Sequence, residues 1–346
     1  MPLDEPSWWY GGQRDDQRTK LLRPASQVYS WAVKRRFANA NPYSSALPVI
    51  CVGNFTAGGT GKTPLSLLLA KMLKERGARP AFLTRGYSGR AKGPVWVNPE
   101  TASAEEVGDE PLLLAQSAPT LVSRNRADGA RAIEAALAAS HIIMDDGLQN
   151  PALAKSLTIA VVDGTRGIGN GEVIPAGPLR APLEFQFELA DAIVVNGPPD
   201  NATLKWLRQV FQGPVLSATV TAEEASAAAI SGKRLLPYAG IGNPHRFRDL
   251  LASLGGQVIE CSFYKDHHAF SEADAEALLA RADAAQATLV TTAKDYARIA
   301  GASSIRGELA RQSLVLDISL AFEERDRERL ETLLGDVKPV VWTVNS

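Results

Sequence analysis

The segment Asn54–Leu73, NFTAGGTGKTPLSLLLAKML, limits the folds open to this chain more than any other. Small residues and glycines run straight into Lys62-Thr63, and an apolar helical pattern begins at once. Gly58, Gly59 and Gly61 let backbone N–H groups curl round an anion without side-chain clashes. A helix starting at Lys62 adds the partial positive charge of its N-terminus. Pro64 is tolerated in the first turn, and Gly77 closes the helix. Thr56, Ala57, Gly58, Gly59, Thr60, Gly61, Lys62 and Thr63 are therefore expected to hold a nucleotide's phosphates. In that role Lys62 reaches the β- and γ-phosphates and the Thr63 hydroxyl ligates Mg²⁺. The strict pattern asks for glycine at position 56, where this chain has Thr56. The strand-like PVICVGN before the loop and the helix after it supply the expected context.

Around this loop, short apolar runs (PAFLTRG, PTLVS, HIIMDDG, LTIAVVDG, DAIVVNG, PVLSATV) alternate with helical patterns. Such alternation predicts an α/β fold: a mainly parallel sheet of the phosphate-loop NTPase type, with helices on both faces. From about Lys233 the pattern restarts with LLPYAGIG, QVIECSFY, ATLVTTAKD and SLVLDISL as strands. This predicts a first domain over 1–216 and a second, smaller α/β domain over 217–346, with the join near Ser217 to Gly232. The ordinary composition, 45% hydrophobic and 22% charged, provides for sizeable cores. A net charge of -1 excludes a global attraction to nucleic acid. Cys51 and Cys261 lie in apolar strand-like runs and are expected to be buried thiols, since two lone cysteines offer neither a metal spacing nor a disulfide framework. MPLDEPSWWYGGQRDDQR lacks an apolar signal core, and no apolar run approaches the roughly 18 residues of a membrane span. A cytoplasmic protein is expected.

The partner of a phosphate loop is an acid at the end of a neighbouring strand. HIIMDDG supplies Asp145 and Asp146, one of which would hold Mg²⁺ directly or through water. Three subclasses can be tested by reading. Deviant-loop ATPases carry a lysine where this chain has Ala57. A GTPase base reader spaces its lysine and aspartate, whereas Lys294 and Asp295 are adjacent. No sensor region of a motor ATPase is identifiable. A kinase-like transferase remains, needing a second substrate and a base near it.

The series GGTGKTP, RGY, VGDEP, DDGLQN, VVDGTRGIGNGEVIPAGPLRAP, AGIGNPHRF, DHHAF and TTAKD, in that order over nearly the whole chain, closely resembles the tetraacyldisaccharide 4'-kinases of bacterial lipid A synthesis. The resemblance implies transfer of the ATP γ-phosphate to the 4'-hydroxyl of a lipid-linked glucosamine disaccharide 1-phosphate. It implies a general base in the GDEP carboxylate, Asp109, which as Asp before Glu-Pro could instead cap a helix. It implies that His267 pairs with Asp109 across the two domains, His268 being the less favoured neighbour. Arg180 matches an arginine near the transferring phosphate, and Glu110 is a further candidate for the metal. Arg85 and Arg166 could contact the acceptor's 1-phosphate or be solvated surface groups. Two positions depart from the family: Asn150 where histidine is usual, and Ala181 where glutamate is usual. Asn150 remains a candidate acceptor contact by hydrogen bonding. An active kinase with altered substrate contacts is expected.

A lipid acceptor draws attention to the segment at about 19–39. Val28, Tyr29, Trp31, Ala32 and Phe37 fall largely along one helical side, beside Lys34, Arg35 and Arg36, with Lys20 and Arg23 upstream. Such a helix could lie in the headgroup layer at the cytoplasmic face of the inner membrane, or pack on the protein's own core. The contrasting possibility is a nucleotide-dependent, membrane-associated ATPase switch with no phosphoryl acceptor. No nucleic-acid or obligate protein partner is expected.

Overall fold

The computed structural model describes residues 5–11, 16–136, 138–198, 201–301 and 303–340. The strands, in chain order, are β1 (Val49–Asn54), β2 (Pro80–Thr84), β3 (Val95–Trp96), β4 (Thr120–Val122), β5 (His141–Asp145), β6 (Leu157–Asp163), β7 (Ala192–Asn196), β8 (Val215–Ala222), β9 (Arg234–Ala239), β10 (Gln257–Val258), β11 (Ser262–Phe263), β12 (Thr288–Thr292), β13 (Ser313–Leu316) and β14 (Ile318–Phe322). Among the described residues one sheet runs β14-β8-β7-β6-β1-β5-β2-β4-β3. Its interior pairings are parallel, and only the edge pairs β14–β8 and β3–β4 are antiparallel. The central strands are apolar throughout because both faces are covered. Along β1, Ile50 and Val52 pack with Leu65 and Leu69 of the helix Lys62–Glu75, while Val49 and Cys51 face Ile142, Met144 and Ile133 on the other side.

The smaller sheet runs β10-β9-β12-β13, all parallel, with β11 also on β9. Its two faces are filled by Leu236, Tyr238, Phe270 and Leu278 on one side and by Leu235, Phe247, Leu251 and Val290 on the other.

The division into lobes corrects the expected boundaries. β8 extends the larger sheet to Ala222, so the crossing lies after it. The segment SLVLDISL is two strands, not one. β13 pairs with β12 in the smaller sheet, and one residue later β14 pairs antiparallel with β8 in the larger. The helix Glu324–Gly335 follows β14 and buries Leu330 and Leu334 in the larger core. Residues 318–336, assigned from sequence to the smaller domain, thus belong to the larger lobe. An apolar run shows that a strand is buried but not which sheet receives it. QVIECSFY is likewise broken into β10 and β11, which leaves Cys261 only half-buried, whereas Cys51 is buried as expected.

The helix Gln17–Ala38 lies on the larger lobe through Thr19, Ser26 and Val33. Ser26 Oγ donates to the Val173 carbonyl at 2.7 Å and accepts from Ala176 N at 3.0 Å. Leu21, Val28 and Trp31 are 80%, 66% and 60% exposed. Phe37, expected on the same apolar side, turns inward against Phe185 at 5.1 Å. No helix among the described residues is long and apolar enough to cross a membrane.

Candidate functional site

The C-terminal ends of β1, β5, β6 and β7 lie side by side, the edge of an open α/β sheet at which ligands bind. Here β1 opens into the glycine loop, and Gly61, at φ +97°, turns the chain into the helix Lys62–Glu75. Asn54 Nδ2 donates to the Gly58 carbonyl at 3.1 Å and closes the loop on itself. Ala57 N donates to the Pro178 carbonyl at 2.8 Å, which ties the loop to the GPLR segment. Asn196 Nδ2 donates to the Thr60 carbonyl at 3.1 Å and would lie 2.6 Å from a Cβ placed on Gly61. Gly59 has open space on its Cβ side. The loop is thus splinted by Asn54, Pro178 and Asn196, with open space beside Gly59 and the Glu5 carboxylate lying against Gly58.

Beside the loop stand the two acids of β5. Asp145 Oδ1 accepts from Ser66 Oγ at 2.7 Å, while its Oδ2 is buried with no hydrogen-bond partner. Burial, with the negative charge of Glu110 next, pushes the Asp145 carboxyl up to about 7. Asp146, in the left-handed region at φ +52°, accepts from Arg180 Nη1 at 2.8 Å and lies 3.6 Å from Lys62 Nζ. Burial opposes its ionisation, but the Lys62 and Arg180 charges outweigh it and hold the carboxyl well below the usual range. Arg180 Nε also donates to the Thr56 carbonyl at 3.1 Å. The orphaned Asp145 Oδ2 fits a divalent cation. Mg²⁺ characteristically takes one or two carboxylates together with phosphate oxygens; Asp145 has the free oxygen for this, and Thr63, Asp146 and Glu110 are the further candidates, while among the described residues no three acid, His or Cys side chains are gathered into a metal cage.

Asp109 is the first residue of the helix Asp109–Ala115, and its carboxylate caps nothing. It reaches the other lobe instead. His267 Nδ1 lies 3.3 Å from Oδ2, Lys294 Nζ lies 3.9 Å from it, and Arg298 Nη2 and Nε donate to it at 2.5 and 3.1 Å. Burial opposes ionisation of Asp109. The hydrogen bond with His267 and the charges of Lys294 and Arg298 overcome it, so the group is an anion well below the usual carboxylate range. His267 is itself left-handed at φ +59°. His268 is committed elsewhere, with Nε2 3.0 Å from Asp274 Oδ2 and its ring stacked on Tyr264.

The structure therefore brings together Lys62, Asp146 and Arg180 in one group, and Asp109 with His267 in another. Glu110 links the two groups: Lys294 Nζ donates to its Oε1 at 3.2 Å, and its charge is felt at Asp145. Three expected acceptor contacts are placed less centrally. Arg85 is exposed just beyond β2. Arg166 pairs with Glu5 at 3.0 Å and donates to the Gly242 carbonyl at 3.3 Å; Glu5 in turn lies against Gly58. Asn150 Oδ1 accepts from Ala152 N at 2.9 Å, so its side chain is engaged in its own turn. Ala181 is buried.

Sequence reasoning passed over Lys294, Asp295 and Arg298. In the sequence TTAKD is one motif of the series, and Lys294 beside Asp295 lacks the spacing of a base reader. The available signal was Lys294 and Arg298 at i, i+4 on one face of a short helix, Ala293–Ile299, with buried Asp295 between them. It also passed over Arg126, whose side chain is among the largest fully buried ones, and Arg246, which joins the lobes by donating to Asn196 Oδ1 at 3.1 Å.

Known proteins resemble this chain along most of its length. A family model described as tetraacyldisaccharide-1-P 4'-kinase matches residues 18–336. A tetraacyldisaccharide 4'-kinase of Methylobacterium nodulans is 46% identical over 92% of this chain and 92% of its own. One from Nitrobacter winogradskyi is 43% identical over 96% and 97%. Among solved structures, LpxK of Aquifex aeolicus, crystallised with ATP, superposes with a TM-score of 0.69 at 25% identity, covering 92% of this chain and 98% of that one. A match that spans both lobes leaves no part of the site outside it, and on these grounds the chain belongs to the tetraacyldisaccharide-1-P 4'-kinase family.

Proposed function

We propose that this protein transfers the γ-phosphoryl group of ATP to the 4'-hydroxyl of a lipid-linked glucosamine disaccharide 1-phosphate, releasing ADP. The glycine loop and the start of the helix Lys62–Glu75 receive the phosphate chain. Lys62 and Arg180 exchange Asp146 for phosphoryl oxygens and stabilise the charge that spreads over them in the transition state. Thr63 and Asp145 would hold Mg²⁺, which when bound would neutralise charge on the phosphate chain. As the acceptor oxygen bonds to phosphorus, the bond from phosphorus to the β–γ bridging oxygen breaks and its electron pair leaves with ADP. The hydroxyl proton passes to Asp109. Because the carboxylate is a weak base, it accepts the proton late, when bond formation has made the hydroxyl acidic. His267 orients the carboxylate from the far side.

The observation that carries this reading is Asp109 itself: a helix-start carboxylate that caps nothing, is kept ionised, and faces the second lobe rather than its own helix. The smaller lobe already brings His267 to Asp109, and small movements of that lobe are proposed to admit the substrates and enclose them. The acceptor is proposed to be reached at the cytoplasmic surface of the inner membrane, with the exposed Leu21, Val28 and Trp31 in the headgroup layer. The test is label transfer from γ-labelled ATP to a disaccharide 1-phosphate lipid in detergent. Wild type should form the 4'-phosphorylated lipid. Lys62→Ala and Asp109→Asn should lose most turnover, the latter with ATP binding intact. Failure of the folded wild type to label any acyl variant of the acceptor would remove the proposal.

A further inference from the structure

Arg298 is buried, 8% exposed at its side chain, and every arm of its guanidinium is engaged. Nη1 donates to Asp295 Oδ1 at 2.5 Å and to the Gly240 carbonyl at 3.0 Å. Nε and Nη2 both donate to Asp109 Oδ2, and Nη2 lies 3.4 Å from His267 Nδ1. Asp295, fully buried, is held in turn by Thr292 Oγ1 at 2.7 Å, and Thr292 caps the helix that carries Arg298. A rigid chain thus runs from the end of β12 through Thr292, Asp295 and Arg298 to a carboxylate on the other lobe.

Burying such a pair is costly, and hydrophobic residues of similar volume could fill the space with no loss of stability. What hydrophobic residues cannot do is fix the rotation of a carboxylate. All the cationic and imidazole contacts described for Asp109 fall on Oδ2 and none on Oδ1. We propose that Arg298 is a positioning residue for phosphoryl transfer. By pinning Asp109 Oδ2 it presents Oδ1 to the acceptor hydroxyl, and it sets the lobe separation at which His267 meets the same carboxylate. The inference rests on the reading of Asp109 as proton acceptor. A lysine at this position would supply charge but could not fork between Asp109 and Asp295.

The test compares full-length Arg298→Met, Arg298→Lys, Asp295→Asn and Asp109→Asn, with the Asp109→Asn/Arg298→Met double variant, using ATP and the lipid acceptor in detergent. Arg298→Met should lower kcat by about 10²-fold, the scale of a misplacement near 1 Å, with KM for ATP changed less than about threefold. Arg298→Lys should recover part of that loss. Asp295→Asn, which leaves the Arg298 charge in place, should lower kcat less than Arg298→Met does and serves if the latter does not fold. In the Asp109→Asn background Arg298→Met should cost nothing more, because the two residues act as one unit. Turnover of Arg298→Met within threefold of wild type, a proportional rise in KM for ATP, or a full additional loss in the double variant would overturn the inference. Asp109→Asn with wild-type turnover would instead overturn the reading of the base, so the two failures are distinct.

Discussion

Arg180 and Asp146 form a hydrogen-bonded ion pair, Nη1 to Oδ1 at 2.8 Å, and Lys62 Nζ stands 3.6 Å from that same oxygen. An acid of the strand end thus pairs with both cations that the proposed mechanism assigns to the phosphoryl group. If nucleotide binding displaces it, as that mechanism proposes, the energy of the pair is subtracted from the apparent affinity for ATP.

Asp146→Asn should therefore tighten ATP binding measured in EDTA by about tenfold, the equivalent of ~1.4 kcal/mol. Turnover with magnesium should fall at least about 10²-fold. Titration calorimetry and the label-transfer assay measure the two effects separately. Weaker ATP binding by this variant would mean that Asp146 supports the nucleotide rather than competing with it.

Burial holds the Asp145 carboxyl up to about 7 in the metal-free protein. The folded chain keeps a proton that the unfolded chain releases near the ordinary carboxylate value of about 4, so this residue lowers stability increasingly as pH rises from about 4 to 7. Asp145→Asn removes that penalty and retains an acceptor for Ser66 Oγ. In EDTA the variant should unfold at a higher temperature than wild type at pH 8, and the gap should close towards pH 4. A gap independent of pH would show that Asp145 is not the titrating group.

Asp326 ties the returning helix to the larger sheet: its Oδ2 accepts from Ser217 N at 2.8 Å and from Arg208 Nη2 at 3.4 Å, and the side chain is 5% exposed. Removing it leaves a buried N–H without a partner. Asp326→Ala should cost about 1–3 kcal/mol in denaturant unfolding while leaving KM for ATP unchanged at a permissive temperature. An unaltered midpoint would contradict the assignment of residues 318–336 to the larger lobe.

The exposed Leu21, Val28 and Trp31 are expected to serve the membrane rather than the chemistry. Leu21→Glu/Trp31→Glu should weaken sedimentation with anionic vesicles and raise the apparent KM for acceptor presented in vesicles. Turnover on acceptor in detergent micelles should remain within about twofold of wild type, since burial of apolar area in the interface is the quantity removed. Equal loss in both assays would assign this face a role within the fold.

Much of this protein is legible along the chain because the relevant signals are local. A phosphate loop needs a strand, glycines, Lys62-Thr63 and a helix in succession, and all are consecutive in NFTAGGTGKTPLSLLLAKML. The continuous apolarity of VICVGN, LTIAVVD and AIVVN likewise announces strands covered on both faces. The motif order was enough to expect Asp109 and His267 as partners, even though they are distant in sequence. It could not decide whether Asp109 caps its own helix, since a capping aspartate and a proton-accepting one look alike in GDEP.

Three matters were decided only by the assembled chain. SLVLDISL reads as one strand, but hydrogen bonding across space sends its first half to β12 and its second to β8. Phe37 shares a helical side with Val28 and Trp31, yet the Phe185 ring draws it inward. Nothing in the sequence around Lys294 and Arg298 names their partners, which are three acids, two of them from the other lobe. The common cause is that strand pairing, burial and charge neutralisation depend on distance in space, and residues 109 and 298 have no proximity until both sheets have formed.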